Sequence, residues 1–475
     1  MKPESSRKAL IVIMLGLLTA SAFFIRLENF KNSKLRSIDE IVYYRMAKQV
    51  LEEGPSGYHT MPYGKEMADA GRPLPDYFFQ PLFKHPPVFT FLVALSLKIF
   101  GPSLVSAVYV SLFFGVMFIP LTYLLGSLLL GRKTGFFSAF LMWMDPINII
   151  CSQKVWLETT QSFFILSAVY FFLYALKRNK DICFVISGVA GGLAVLTKYP
   201  GMIAWISILL YAAIAHRFLF KNKYFLLGGV VSFVMLWPWF YWNSLVYGSH
   251  FLVKQISAHN LGLGSPRTIC LIVAAAGVLS LVFYQLRQPR AKTGIRNPGP
   301  VASVKSWDTK KYLVAGCGVL LIWSIHGSIL RAFSPVSVPT ASWAQGLFWD
   351  ATSVFYFGRL IEFSLIFLLA FAAFFINRAE NFDVKLPLFI VSGALILFYM
   401  VWRSYQSRYI LAAIPFLIVL GVHFWMECFN RVSGNKNQAI YFGGRLALRL
   451  FIIYALVKTT YINGLVSFPN DMCYF

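Results

Sequence analysis

Charge is what this sequence has least of. Only 13% of its 475 residues are charged, and 19 of them are acidic, against about 25% charged in an ordinary soluble domain. With 58% hydrophobic residues and a mean hydropathy of +0.64, most side chains must face something other than water. A water-soluble globular chain is excluded. Paired cysteines are missing as well: Cys151, Cys183, Cys270, Cys317, Cys428 and Cys473 lie scattered, which leaves neither a disulfide framework nor a zinc site. No nucleotide-binding signature occurs, and among the histidines outside the Lys84-His85 stretch none shows metal-ligand spacing.

What fills the sequence instead is apolar runs, each long enough to cross a hydrocarbon layer of about 30 Å. We read thirteen, near 9–25, 104–130, 134–150, 159–176, 182–197, 200–215, 224–245, 269–285, 312–330, 353–377, 386–402, 409–426 and 446–466. The expected fold is an all-α polytopic membrane protein. Its net charge of +24 points to topology and not to nucleic acid, because the basic residues sit mainly in short linkers between apolar runs. With the N-terminus cytoplasmic, the majority of them fall inside, including Arg132/Lys133, Lys177/Arg178/Lys180 and the polar linker Arg287–Lys311. The first run follows a basic start without a small-residue cleavage site and reads as an uncleaved helix.

The long outer loop, 26–103, is the main feature between spans. Ser37 to Glu53 reads as a surface helix, with Ile38, Ile41, Val42, Met46, Val50 and Leu51 at helical spacing. Residues 54–83 are rich in Gly, Pro and Tyr and read as an ordered loop, while 86–100 reads as a juxtamembrane or re-entrant helix. The chain divides into a transmembrane module over 1–430 and a cytoplasmic linker with a last span over 431–475, without a separate soluble domain.

In so acid-poor a chain the few acids near the outer face stand out. Ser37 and Glu40 have capping-box spacing, so Glu40 either closes the helix start or meets substrate. Asp39, in the same first turn, has no capping duty; the helix dipole favours its ionised form, and it could accept a proton from an attacking hydroxyl. Lys84-His85-Pro86-Pro87 is a rigid entry to the short apolar helix, with the two cations either snorkelling or meeting a phosphate or sugar. Glu158 lies where one span ends and the next begins, as a helix cap or a functional acid. Lys198 stands at the break between two runs, snorkelling or functional. Arg403, Arg408 and Tyr409 bracket an outer turn, and two arginines there suit a resident phosphate.

Taken in order, these pieces resemble the polytopic glycosyltransferases of the C superfamily (GT-C), and among them the protein mannosyltransferase-like group that includes bacterial lipid A aminoarabinose transferases. The matching stretches are Asp39-Glu40 with Tyr43-Tyr44, His85-Pro86-Pro87 with Phe100-Gly101, Gly131-Arg132-Lys133, Glu158, the glycine-rich run Gly188 to Lys198, and Arg408-Tyr409 through Pro415. The resemblance runs from the first span to about residue 426. It implies transfer of a sugar from a polyprenyl-phosphate carrier to an acceptor hydroxyl at the extracytoplasmic face, with inversion. Asp39 would be the base or acceptor-orienting group and Glu158 the second catalytic acid, where relatives more often carry Asp. Glu40, Tyr43, Lys84, His85, Lys198, Arg403, Arg408 and Tyr409 would line the substrate site. Some relatives carry an acid where this chain has Lys84 and bind a divalent metal with it; the lysine speaks against a copied metal site, and no cofactor is assigned. Expected partners are the lipid-linked donor, a lipid, glycan or protein acceptor and membrane lipids. The expected location is a multi-pass position in a bacterial inner membrane. A transporter or flippase of lipid-linked sugar is the competing reading; it would place ionisable residues near the bilayer midplane on interrupted helices.

This topology requires the 26–103 loop, Glu158 and Arg408 to share one compartment. Single cysteines introduced beside each are expected to react with an impermeant thiol reagent from the same side of sealed vesicles. Labelling of any one from the other side would refute it.

Overall fold

Apolar segments deprived of water satisfy their backbone groups internally, as helices or closed barrels. The structure, a computed structural model, describes residues 3–32, 37–59, 85–248, 382–401, 407–433 and 438–467, with four single positions at 367, 369, 370 and 373. Every regular element among these described residues is helical.

The first expected span lies within a longer helix, α1 (Pro3–Asn32), and the outer loop begins with α2 (Ile38–Glu53) and a 3-10 turn, Pro55–His59. The short apolar stretch is α3 (Val88–Phe100), stopped by Gly101 at φ 87°, a conformation that glycine adopts without a Cβ clash. Next comes α4 (Leu104–Leu130). The run expected as one span at 134–150 is two helices, α5 (Arg132–Trp143) and α6 (Pro146–Ser152), bent by 56°. Asp145 and Pro146 cause the break: Pro146 supplies no N–H, and the Asp145 carboxylate accepts from the Asn148 amide at 2.8 Å to start a new helix.

The elements that come next follow their apolar runs. They are α7 (Glu158–Arg178), α8 (Ile182–Thr197), a 3-10 turn (Tyr199–Gly201), α9 (Met202–Ala215), α10 (Lys223–Tyr247) and α11 (Phe382–Val401). A 3-10 segment, Ser407–Ala413, leads into α12 (Ile414–Ser433), and α13 (Gln438–Ser467) closes the described chain. Among the described residues five segments are long and apolar enough to cross a bilayer: Ala9–Lys31, Leu104–Leu130, Glu158–Arg178, Lys223–Leu245 and Arg408–Asn430. The bent pair α5–α6 makes a sixth. The runs expected at 269–285 and 312–330 lie outside the described residues, as does 353–377 apart from the single positions; so do the Arg287–Lys311 linker and residues 60–84 of the outer loop.

Two buried clusters organise the helices. The larger draws on α4, α7, α8, α9, α11 and α12. The smaller gathers Val42, Tyr43, Met46, Tyr58, Phe89 and Trp239, and seats α2, the 3-10 turn after it and α3 against α4 and α10. The juxtamembrane elements are therefore fastened to the bundle by apolar burial. A polar clip holds α1: Arg26, buried, donates to the carbonyls of Gly115 and Trp143, both at 3.1 Å, and to the Ser152 hydroxyl at 3.2 Å.

The glycine-rich run lies on α8, which packs between α7 and α10. At Gly188 the α8 backbone meets α10 so closely that a Cβ would fall onto the Gly228 carbonyl oxygen. Small residues allow this approach, the usual device of helix pairs in lipid. Gly188→Leu is expected to separate α8 from α10, lowering the yield of monodisperse protein and its thermal unfolding midpoint in detergent. Gly229→Leu, where nothing stands within 4 Å, is the matched control and should behave as wild type.

Candidate functional site

The first turn of α2 closes on itself. Glu40 donates its backbone N–H to Ser37 Oγ at 3.4 Å, and the Ser37 amide donates to Glu40 Oε2 at 2.7 Å, the capping box expected from the spacing. Glu40 is fully buried and does more than cap. Its Oε1 accepts from the Val155 amide at 3.3 Å, and Lys154 Nζ stands 3.7 Å from its Oε2. The indole of Trp156 donates to Ser37 Oγ at 2.9 Å. The start of α2 is thereby laced to the turn before α7.

That lacing points Asp39 and Glu158 at the same cation. Arg408 Nη2 donates to Asp39 Oδ2 at 2.6 Å, and its Nε lies 3.5 Å from Glu158 Oε1. Lys198 Nζ reaches the same Glu158 oxygen at 3.1 Å. Glu158 does not cap α7: the N-cap residue is Leu157, with no side-chain cap bond. Lys198 does not snorkel either, because it is buried and turned inward at the end of α8. Its carbonyl accepts from Gln161 Nε2 at 3.2 Å, fixing the break where the chain leaves α8.

Aromatic faces complete the cluster. The Arg408 guanidinium lies 4.2 Å over the Trp156 ring, and Lys198 Nζ lies 4.1 Å over Tyr409. Tyr409 in turn stacks on Tyr399, with centroids 5.6 Å apart. A cation over an aromatic face gains about 2 kcal/mol when desolvated. The 3-10 segment presents Arg408 and Tyr409 side by side to these partners.

Tyr43 lies under the cluster, edge-on to Phe89 at 5.1 Å and 6.1 Å from the His85 ring. Burial, with the negative charges of Asp39 and Glu158 nearby, pushes its phenol well above its ordinary value of 10, so it remains protonated. The His85 carbonyl accepts from the Tyr58 hydroxyl at 2.7 Å, which fixes the entry to α3. Lys84 and Arg403 lie outside the described residues.

Sequence reasoning passed over Trp156, Lys154, Gln161 and Arg26. Trp156 stands two positions before an acid already singled out, and Lys154 is a cation on an outer turn, against the charge bias; both were visible signals. Arg26 ends an apolar run, where snorkelling is the default expectation. The described part of the cluster does not fit a divalent ion. Asp39, Glu40 and Glu158 each face a lysine or arginine, and among the described residues no three His, Cys, Asp or Glu gather to hold a metal.

Residues 84–242 match the family described as dolichyl-phosphate-mannose-protein mannosyltransferase. An uncharacterized protein of Aquifex aeolicus is 30% identical over 193 residues, 40% of this chain and 38% of that protein. Among solved structures, the oligosaccharyltransferase AglB of Archaeoglobus fulgidus, in complex with an inhibitory peptide and a dolichol-phosphate, superposes with a TM-score of 0.58. It is 18% identical, over 98% of this chain and 57% of that one. ArnT of Cupriavidus metallidurans superposes at 0.55 in the apo state, 16% identical over 96% of this chain and 76% of that one. Its complex with undecaprenyl phosphate superposes at 0.53, with 15% identity over 96% and 74%. This chain spans well under half of the Aquifex relative and little more than half of AglB. The protein is a multi-pass helical membrane protein with the fold seen in AglB and ArnT.

Glu158 carries two cations on one buried oxygen, so its charge is the local keystone. Removing one partner of a buried ion pair costs about 3–5 kcal/mol. Glu158→Gln is expected to lower the thermal unfolding midpoint clearly. Adding Lys198→Met, which withdraws one stranded cation, should recover part of the loss; no recovery would show that the pair is not what Glu158 supports.

Proposed function

We propose that this protein is a glycosyltransferase that moves a sugar from a polyprenyl-phosphate donor to an acceptor hydroxyl at the extracytoplasmic face of a membrane. One observation carries the reading: Asp39, Glu158, Lys198 and Arg408, from four separate segments, meet within 2.6 to 3.5 Å of their partners at the end of the bundle that α2 and α3 cover. The dolichol-phosphate in the AglB structure and the undecaprenyl phosphate bound to ArnT support a lipid phosphate as the donor's carrier. The matched mannosyltransferase segment covers Glu158 and Lys198.

The roles follow from chemistry. The acceptor hydroxyl gives its proton to the Asp39 carboxylate while its oxygen bonds to the anomeric carbon. The bond from that carbon to the phosphate oxygen breaks, and the lipid phosphate leaves with the electron pair. Attack opposite the leaving group inverts the anomeric centre. Charge grows on the phosphate as it departs, and Arg408 and Lys198 are the preorganised cations that would meet it. In this scheme Glu158 is a positioning residue that holds both cations in place, and Glu40 keeps α2 against the turn before α7. Tyr43, Tyr409 and His85 line the approach. The acceptor is a lipid, glycan or protein hydroxyl, and the location is a bacterial inner membrane with the N-terminus inside.

Asp39→Asn keeps the side-chain shape and removes the proton acceptor. In proteoliposomes supplied with a labelled polyprenyl-phosphate sugar and an acceptor, it is expected to cut transfer by about 10²- to 10⁴-fold with membrane insertion unchanged. Undiminished transfer would remove Asp39 from the reaction.

A further inference from the structure

The indole of Trp156 is fixed from several directions. Its backbone N–H donates to Ser111 Oγ at 3.2 Å and its carbonyl accepts from the same hydroxyl at 2.9 Å, which pins the turn before α7 to α4. The ring N–H donates to Ser37 Oγ at 2.9 Å, at the cap of α2. Trp156 is buried, so the ring has no room to swing into water. Arg408 lies over that ring, with Cζ 4.2 Å from the centroid. The acids beside Arg408 supply counter-charge without setting its plane. Asp39 accepts from Nη2 alone, and one hydrogen bond leaves the guanidinium free to turn about it. Glu158 stands 3.5 Å from Nε, which has no hydrogen-bond partner among the described residues, and the Tyr409 ring is farther off, at 5.5 Å.

A cation drawn to an immobile aromatic face has its place set by the negative potential of that face, whichever anion its N–H groups meet. We propose that Trp156 is a positioning residue for the donor: its ring is the floor that keeps the Arg408 guanidinium ordered, so that the lipid phosphate binds a cation already in place. Ordering a long side chain at the moment of binding would cost roughly two- to tenfold in affinity. The ring is buried while the Asp39 side chain is 37% exposed, so a phosphate arriving from the Asp39 side leaves the ring contact intact. The edge of the same indole is tied to the cap of the turn that carries Asp39. One ring therefore sets the guanidinium and the start of α2 in a common frame. This role rests on the lipid-phosphate donor proposed above.

The test weakens the ring's negative face without changing its shape. Tryptophan bearing one to four fluorines is placed at position 156 of the full chain by nonsense suppression. The protein is reconstituted in nanodiscs of neutral lipid and titrated with polyprenyl phosphate that carries no sugar. Affinity is expected to fall stepwise with each fluorine, reaching roughly two- to tenfold at four. Trp205 is the matched control: its ring N–H also donates to a serine, Ser232 Oγ at 2.9 Å, but no cation lies over it among the described residues. The same series there should leave affinity unchanged. Trp156→Leu should weaken binding at least as far as full fluorination, and Trp156→Phe should recover part of the loss; if Trp156→Leu does not fold, the fluorine series decides alone. A flat series at position 156 with wild-type binding intact would remove Trp156 from this role and leave the donor standing. Equal weakening at both tryptophans would reduce the effect to general loosening of the bundle, and would also overturn it. Failure of the wild-type protein to bind polyprenyl phosphate would overturn the donor and the role of Trp156 together.

Discussion

A single carboxylate oxygen, Oε1 of Glu158, compensates two cations in a protein that has few acids to spend. Burying an unpaired charge costs several kcal/mol, so Lys198 could not stay in its place without that oxygen, and Arg408 would rest on the partly exposed Asp39 for its counter-charge. Their positions in turn fix the break after α8 and the 3-10 segment before α12. Asp39 then meets a guanidinium whose location is already decided. The order of dependence runs from the most buried charge outward to the most exposed one.

The helices were readable because their cause is local. Run length and the absence of charge place α4, α7, α8 and α9 within a residue or two, and Ser37 with Glu40 announces the start of α2. The break in the third span is also written locally, in Asp145-Pro146. The site was legible as a set of candidates and not as an arrangement. Lys198 next to a helix end reads equally as a snorkelling cation until its distance to Glu158, 40 positions away, is known. Asp39 and Arg408 lie 369 positions apart, and nothing in either neighbourhood names the other. Arg26 shows the reverse error of reading: an arginine at the end of an apolar run is buried because carbonyls of α4 and α5 happen to face it.

Likeness in fold to AglB and ArnT comes with 18% and 16% identity, a level at which the bundle persists while the side chains at its end are free to change. At that end of this chain each acid faces a cation. Three carboxylates are matched by Lys154, Lys198 and Arg408, so the cluster is close to neutral before any substrate arrives.

The clip at Arg26 has a consequence for how the protein sits in lipid. α1 has 30 residues, about 45 Å at 1.5 Å per residue, while a hydrocarbon layer is about 30 Å thick. Because the clip lies near the Asn32 end, that end is locked in height relative to α4, α5 and α6. Any difference in bilayer thickness must then be absorbed by the Pro3 end, through tilt or through turns emerging from the lipid. The membrane can swell or thin while the ion pairs of Arg408 with Asp39 and Glu158 keep their geometry.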